Sequence, residues 1–288
     1  MYGSTTHAET NALLNQLADA HRPLVVSHGG VAVGSMPSNT TLAARAALLS
    51  GADLVKVDVS SSVDNVFYAF HDGFEAELLG VDRNIQAMTA AEIGELSYQW
   101  KDRPGRRCSV ERLTTLLSAF KGRPVVFALD RSWWRWPTLL RVLDGLGMTD
   151  QLLLKVPAWE AIALEKLRQH RTKYPVLPIC GTPEEFLMLP IHDDAINIVG
   201  VELTAFDDDS PWLLPDMLDE IRRNDLFTWV NSETLTTGIP LFAGYDDERA
   251  VSESPSAAWS RILDLGVDAV QTELPWLLYH LRSRRERP

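Results

Sequence analysis

The amino-acid sequence predicts a single α/β domain of the TIM (β/α)8 barrel class. Apolar, β-branched runs alternate along the 288 residues with stretches that carry helix-capping residues. This alternation is typical of a parallel sheet covered by helices, and eight strands are the number that closes such a sheet into a barrel. The eight runs are 24–27, 54–59, 124–130, 152–157, 174–179, 196–203, 226–231 and 267–272.

The segments between these runs carry the signals that begin and end helices. Thr40 stands where an N-cap is expected, and Gly51 follows the same helical stretch at the position that favours a left-handed residue. Thr89 and Glu92 have the spacing of a capping box. Residues 1–22 predict an N-terminal helix ahead of the first strand. At the other end, the basic stretch 282–288 predicts a solvated tail.

Two features of the chain refine the fold prediction. Residues 61–72 predict a strand joined to 54–59 by a short turn, which we count as an extension of the second strand unit. The main rival fold, an open doubly wound sheet, usually carries a glycine-rich phosphate loop with GxGxxG spacing after its first strand. Gly29, Gly30 and Gly34 follow the first run without that spacing. The sequence therefore favours one barrel domain over residues 1–288.

Composition excludes several classes of function. The chain has 39 acidic against 27 basic residues and a formal charge of -12, so nucleic-acid binding is not expected. It has no run of about 18 apolar residues, so no membrane span is predicted, and its N-terminus lacks the apolar core of a signal peptide. A cytoplasmic protein that acts on a small molecule is expected. The sequence does not predict the oligomeric state.

Reactive residues gather at the predicted carboxyl ends of the strands. In a barrel, the loops at these ends surround one pocket, so reactive residues there are the candidates for function. Two histidines and several acids at one place suggest proton transfer or metal binding. The candidates are His28, Lys56, Asp58, His71, Asp130, Glu202 and Trp229.

The order of these residues resembles the glycerophosphodiester phosphodiesterase family, which is related to the spider-toxin type phospholipase D. The resemblance spans almost the whole chain, and it rests on short motifs that occur in the family's order. These motifs are Ser27-His28-Gly29-Gly30, Pro37-Ser38-Asn39-Thr40, Gly51-Ala52-Asp53, Lys56-Val57-Asp58, His71-Asp72, Thr89 to Glu92, and Gly266-Val267-Asp268 followed by Thr272-Glu273-Leu274-Pro275.

The resemblance implies that His28 and His71 are the general acid and base for cleavage of a phosphodiester. It does not imply which histidine is which. It also implies a divalent cation, Mg²⁺ or Ca²⁺, with Asp58, Asp130 and Glu202 as the residues here that would hold it. Trp229 resembles the family's Trp-Thr-Val-Asn strand and is expected to line the substrate pocket.

The sequence also departs from the family's pattern. Gly29 replaces an arginine that contacts phosphate, and Lys56 replaces the first acid of a metal-ligating pair. An ammonium close to a metal would be repelled, so either a weakened metal site persists or Lys56 itself neutralises the phosphate. A third interpretation is that Lys56 only pairs with Asp58 or Asp130. We expect Lys56 and Gly29 at the substrate and regard the metal as doubtful.

The predicted function is a phosphodiesterase acting on a glycerol-, sugar- or lipid-type phosphodiester. One alternative is a lyase-type enzyme, in which a hydroxyl of the substrate attacks and a cyclic phosphate is released. Another is a barrel that binds phosphate esters and has lost catalysis. A third is an aldolase that uses Lys56 as a Schiff-base nucleophile, although this leaves the two histidines without a role.

Overall fold

The computed structural model of the protein describes residues 1–99 and 108–285. Eight parallel strands close into a barrel, because the first strand pairs with both the second and the last. The predicted TIM-barrel class is therefore confirmed. The nine strands within these described ranges are β1 (Leu24–His28), β2 (Leu54–Ser61), β3 (Phe67–Ala69), β4 (Val126–Asp130), β5 (Leu152–Pro157), β6 (Val176–Cys180), β7 (Gly200–Leu203), β8 (Phe227–Asn231) and β9 (Ala269–Thr272).

Helices surround the barrel and follow most of its strands. In the described part of the chain they are α1 (Ala8–Ala20), α2 (Thr41–Leu49), α3 (Glu75–Leu79), α4 (Ala90–Gly94), α5 (Leu113–Ser118), α6 (Thr138–Asp144), α7 (Ala161–Gln169), α8 (Pro183–Leu187), α9 (Pro215–Arg223), α10 (Asp247–Ser252), α11 (Pro255–Asp264) and α12 (Pro275–Arg285). Thr40 accepts a hydrogen bond from the N–H of Ala43 and caps α2, and Thr89 with Glu92 forms the predicted capping box.

The extra strand β3 pairs antiparallel with the end of β2. The register places Val59 opposite Ala69 and Ser61 opposite Phe67. The strand predicted over 61–72 is thus present as the shorter β3, and it extends the second strand unit as expected. β3 ends at Ala69, two residues before His71, and β1 ends at His28. The two histidines therefore lie at the same end of the barrel.

Two apolar layers hold the barrel together. Outward-facing strand residues pack against the helices in a large buried cluster that includes Val55, Phe127 and Trp259. Inward-facing residues, among them Val26 and Trp229, form a second cluster inside the barrel. Leu14 and Ala18 of α1 belong to this inner cluster. The N-terminal helix therefore closes the barrel at the end opposite to the strand carboxyl termini.

The C-terminal helix differs from the sequence prediction. Residues 282–288 were expected to form a solvated tail, but α12 continues to Arg285 and Arg282 is buried. The Arg282 guanidinium donates to the Asp53 carboxylate at 2.6 Å and to the carbonyl of Pro23 at 2.8 Å. The prediction was wrong for Arg282 because basic composition does not reveal a buried partner 229 residues earlier. Residues 286–288 lie outside the described residues.

None of the helices within residues 1–99 and 108–285 combines the length and the apolar character that a bilayer crossing requires.

Candidate active site

A cavity of about 460 Å³ opens at the carboxyl ends of the strands. His28, His71 and Asp58 contribute its polar side. Its other walls are mostly apolar and come from three segments: the loop after β1, the start of α3, and the start of α12. The apolar wall residues are Val31, Ala32, Val33, Phe74, Leu78, Leu274 and Trp276.

The loop after β1 is shaped by backbone conformations that few residues adopt. Gly30 has φ +79, and a Cβ there would meet the backbone of Ala43 at 2.5 Å, so only glycine fits against α2. Asn39 also has positive φ, a conformation that asparagine tolerates. Its side chain accepts from the N–H of Asp58 at 3.0 Å and donates to the Asp58 carboxylate at 3.2 Å. The loop thereby fixes Asp58 at the cavity wall.

His28 lies between acidic and basic partners. Its Nδ1 is 2.8 Å from Glu233 and 3.5 Å from Glu273, and its Nε2 is 3.1 Å from the Lys56 ammonium. Burial and Lys56 lower the pKa of His28, but the Glu233 charge and the hydrogen bonds to both glutamates outweigh them and raise it to about 9. The two glutamates therefore favour the protonated imidazolium.

His71 has a different environment. Its Nδ1 lies 2.9 Å from the backbone carbonyl of Asp72, and its ring meets Phe74 edge-on at 4.8 Å. A carbonyl only accepts hydrogen bonds, so Nδ1 carries the hydrogen of this contact. That leaves Nε2 as the nitrogen available for proton transfer. The Asp72 carboxylate in turn accepts from Arg131 at 3.1 Å and from Gln86 at 2.8 Å, which holds the turn that carries His71.

Five charged side chains form a row across the barrel, with acids and lysines in alternation. Lys56 of β2 forms an ion pair with Asp58 on the same strand and lies 3.7 Å from Asp130 at the end of β4. Lys155 of β5 lies 2.9 Å from Asp130 and 2.7 Å from Glu202 of β7. Alternation along each strand points these side chains into the barrel. The row contains three carboxylates and two ammonium groups.

The lysines determine the charge state of the row. Burial raises the pKa of Asp58, but Lys56 and the nearby histidines outweigh it and hold that pKa well below its usual range. At Asp130, Lys155 and then Lys56 likewise outweigh burial and lower the pKa. Burial lowers the pKa of Lys155, but Asp130 and Glu202 more than compensate and raise it. Glu202 is the exception, because burial raises its pKa and Lys155 does not fully offset this.

This row does not suit a divalent cation. Mg²⁺ and Ca²⁺ require several oxygen ligands that converge on one point. The oxygens of Asp58, Asp130 and Glu202 converge instead on the ammonium groups of Lys56 and Lys155. A cation placed among them would meet two positive charges at close range. Within the described ranges, no group of three or more histidine, cysteine, aspartate or glutamate side chains is arranged to hold a metal.

The structure places the predicted site residues at three depths. His28, Gly29, Asp58 and His71 line the cavity. Lys56, Asp130 and Glu202 lie in the charged row behind it. Trp229, expected in the pocket wall, is fully buried in the inner cluster, where the Lys155 ammonium lies 5.7 Å from its ring centre. Gly29 uses its N–H for the carbonyl of Lys56 at 3.0 Å, so this donor is not available to a phosphate.

Several residues of the site were missed from the sequence. Lys155 interrupts the apolar run 152–157, and a charge inside a buried strand is a signal that could have identified it. Glu233 follows the strand that ends at Asn231, the position at which barrel residues are expected to function. Trp276 and Phe74 line the cavity from helix starts, and no local pattern distinguishes them from packing residues.

A half-buried aspartate secures the segment beside His28. The Asp247 carboxylate accepts from the hydroxyls of Ser232 and Thr272 and from the N–H of Glu273 at 2.6 Å. Burial raises the pKa of Asp247 to about 7, against the lowering effect of these hydrogen bonds. Asp247 therefore connects the start of α10 to the two strand ends that precede Glu233 and Glu273.

Comparisons with known structures agree with the barrel fold. A glycerophosphoryl diester phosphodiesterase from Parabacteroides distasonis has a TM-score of 0.72 at 17% identity, over 96% of this chain and 92% of that chain. A glycerophosphodiester phosphodiesterase from Agrobacterium tumefaciens has a TM-score of 0.64 at 20% identity, over 89% of this chain and 99% of that chain. An Oleispira antarctica phosphodiesterase, solved with the product sn-glycerol-3-phosphate, has a TM-score of 0.64 at 18% identity, over 93% and 99% of the two chains.

A search of curated proteins found no significant match to the sequence. The model of the glycerophosphoryl diester phosphodiesterase family, by contrast, matches residues 31–275, which is most of the chain and includes His71 and the charged row. The resemblance noted from the short motifs is thus confirmed for the motifs within residues 31–275, whereas Ser27-His28-Gly29-Gly30 precedes the matched segment. This protein belongs to the glycerophosphoryl diester phosphodiesterase family, whose members are phosphoric diester hydrolases.

Proposed function

We propose that this protein hydrolyses glycerophosphodiesters with His28 and His71 as its proton-transfer pair, and that Lys56 takes the place of a divalent cation. The observation that carries the proposal is the position of Lys56. Its ammonium lies against Asp58 and 3.1 Å from His28, directly behind two residues that line the cavity. Enzymes that cleave phosphodiesters must neutralise the anionic phosphate, and an ammonium in contact with these two residues is suited to do so.

The hydrogen-bond partners suggest different roles for the two histidines. Glu233 and Glu273 raise the pKa of His28 to about 9, so His28 is suited to give a proton to the leaving oxygen as the general acid. His71 has its Nδ1 engaged with the carbonyl of Asp72, which leaves Nε2 to accept a proton from the attacking water. Water then adds to phosphorus, the bond to the leaving alcohol breaks, and each histidine carries one proton of the exchange.

Lys56 connects charge neutralisation with proton transfer. The ammonium lies 3.1 Å from Nε2 and opposes the protonation of His28, although the two glutamates outweigh it. A phosphate oxygen that draws Lys56 away removes this opposing charge. The glutamates then hold the imidazolium more firmly in the protonated form that a general acid requires. In this proposal the substrate's own charge stabilises the general acid.

The choice of glycerol esters is supported by the relatives. The Oleispira antarctica phosphodiesterase was solved with sn-glycerol-3-phosphate as its product, and its chain is matched over 99% of its length. We extend this substrate type to the present protein as part of the proposal. The mostly apolar walls formed by residues such as Phe74 and Trp276 would receive one of the two alcohols of the diester.

The test is turnover of glycerophosphocholine by protein stripped of metal ions, followed by phosphorus NMR. We expect hydrolysis to an open phosphomonoester, with kcat reduced at least about a hundredfold in His28→Ala and in His71→Ala. His280→Ala, which changes an exposed histidine on α12, is the matched control and should retain full activity. Binding without turnover would contradict the proposal, and a cyclic phosphate as the first product would replace hydrolysis by the lyase alternative.

A further inference from the structure

Large apolar side chains are exposed on the face of the barrel that carries the cavity. Six of the eight loops that follow barrel strands present at least one: Val33, Val63, Trp134, Trp159, Phe206 and, in the loop after β8, Leu235 and Ile239. Their exposed fractions range from 40% for Trp134 to 66% for Trp159. Because parallel strands all end at the same side of a barrel, these side chains belong to one face.

Packing does not explain this arrangement. An exposed apolar side chain is unremarkable by itself, but apolar side chains gathered on one face mark a site of interaction with a protein or a lipid surface. Tryptophan and phenylalanine are the residues that typically insert at a membrane–water interface. The exposed tryptophan and phenylalanine residues come from the loops after β4, β5 and β7, and the exposed valine and leucine residues from the loops after β1, β2 and β8. These loops stand at the same end of the barrel as the mouth of the cavity.

The position of the cavity favours a lipid surface over a protein. A protein docked on this face would cover the mouth and separate His28 and His71 from a dissolved substrate. A lipid surface would instead present phosphodiester head groups to the mouth. Val31, Val33 and Trp276 give the cavity apolar walls that are continuous with the exposed face, because Val33 belongs to both.

The charge of this face selects the kind of lipid. The loop after β7 carries Asp207, Asp208 and Asp209, and Glu77 and Glu273 stand at the cavity. The arginine after β4, Arg131, is paired with Asp72 at 3.1 Å. Arg135 in the same loop donates to the Ser61 hydroxyl and the Ser62 carbonyl. Within the described residues, the arginines after β4 are thus engaged, and anionic lipids would be repelled by the acidic groups of these loops. The outer ammonium group of a zwitterionic phospholipid complements them.

From this arrangement we infer that the strand-end face docks on zwitterionic phospholipid surfaces through the exposed apolar residues of these six loops. Docking of this kind uses apolar contact and does not need turnover, so the inference stands apart from the proposed activity. It predicts that binding persists at high salt, since apolar contacts are not screened.

The experiment is cosedimentation with phosphatidylcholine vesicles in 0.5 M salt, about the level at which surface electrostatics is strongly screened. The double variant Trp159→Ser with Phe206→Ser should reduce the vesicle-bound partition at least about tenfold. The control double variant Leu49→Ser with Leu187→Ser removes exposed apolar residues at the ends of α2 and α8, away from this face, and should bind as the wild type does.

Several outcomes would overturn the inference. They are no binding to phosphatidylcholine vesicles, equal loss in the control variant, or tighter binding to anionic vesicles. Self-association in sedimentation experiments that is lost in the Trp159→Ser, Phe206→Ser variant would show that a second copy covers the face instead. His28→Ala should bind vesicles normally. If the wild type binds vesicles and does not turn over diesters, only the proposed activity fails.

Discussion

The ammonium of Lys56 lies 3.1 Å from Nε2 of His28. This contact joins the group that can neutralise a phosphate to a group that can transfer a proton. On the other side of the imidazole, Nδ1 lies 2.8 Å from Glu233. His28 is thus held between a cation that opposes its protonation and a carboxylate that favours it.

The first prediction concerns the pH dependence of activity. Glu233 and Glu273 outweigh burial and Lys56 and raise the pKa of His28 to about 9. A general acid acts while protonated, so kcat/KM should be retained below that pKa and should fall as the pH rises through about 9. Glu233→Gln removes the largest raising charge, and we expect the alkaline limb to move down by more than about one pH unit. The check is the kcat/KM profile from pH 6 to 10.5, and an unmoved alkaline limb would contradict the role of Glu233.

The second prediction concerns Lys56. Lys56→Met keeps most of the side-chain length and removes the charge to which the proposal assigns neutralisation of the phosphate. We expect kcat/KM for a glycerophosphodiester to fall at least about a hundredfold. The same substitution leaves Asp58 without its ion-pair partner, so stability must be measured alongside activity. Added Mg²⁺ should not restore the lost activity, because Lys155 still lies against Asp130. Undiminished kcat/KM in folded protein would exclude the proposed role.

The third prediction concerns stability. Lys155 is buried and forms ion pairs with both Asp130 and Glu202. Lys155→Met leaves the buried Glu202 carboxylate without its partner and leaves Asp130 with Lys56 alone, and we expect a loss of about 3–5 kcal/mol in the free energy of unfolding by urea at pH 7. The double variant Lys155→Met, Glu202→Gln also removes the unpaired charge of Glu202 and should recover part of the lost free energy of unfolding. Equal stability of the single variant and the wild type would show that the row does not support the fold.

The fourth prediction concerns the C-terminal helix. Arg282 pairs with Asp53, which also accepts the N–H of Val25 at the start of β1. Arg282→Ala removes the ion-pair partner of the buried Asp53 carboxylate, so we expect a destabilisation of about 3 kcal/mol. Arg284, two residues further along α12, is exposed, and Arg284→Ala should change stability by less than about 0.5 kcal/mol. If the two variants were equally stable, the buried pair would contribute nothing.

The fold could be predicted from the sequence because its signals are local. Strand runs, caps such as Thr40, and left-handed glycines such as Gly51 each depend on a few neighbouring residues. The same holds for the arrival of His28 and His71 at one end of the barrel, since each directly follows a strand run. Period-two alternation also placed Lys56 and Asp58 on one face of their strand.

The rest of the site depends on contacts across the barrel. The strand order in the barrel is β4, β5, β6, β7, and this order places Lys155 of β5 between Asp130 and Glu202. No local sequence pattern reveals this pairing. Trp229 matches a family motif, yet the register of β8 directs it into the buried inner layer. The sequence also left open whether a metal ion or the Lys56 ammonium neutralises the phosphate, because Lys56 could have paired with a single acid.

The central claim is that Lys56 substitutes for a divalent cation in phosphodiester hydrolysis. The most direct test is the turnover of glycerophosphocholine by protein treated with excess chelator, compared with the same protein after Mg²⁺ or Ca²⁺ is restored. His28→Ala serves as the control for contaminating activity. We predict that kcat is the same, within about twofold, with and without the metal. Turnover that vanishes with the chelator and returns with Mg²⁺ or Ca²⁺ would contradict the account.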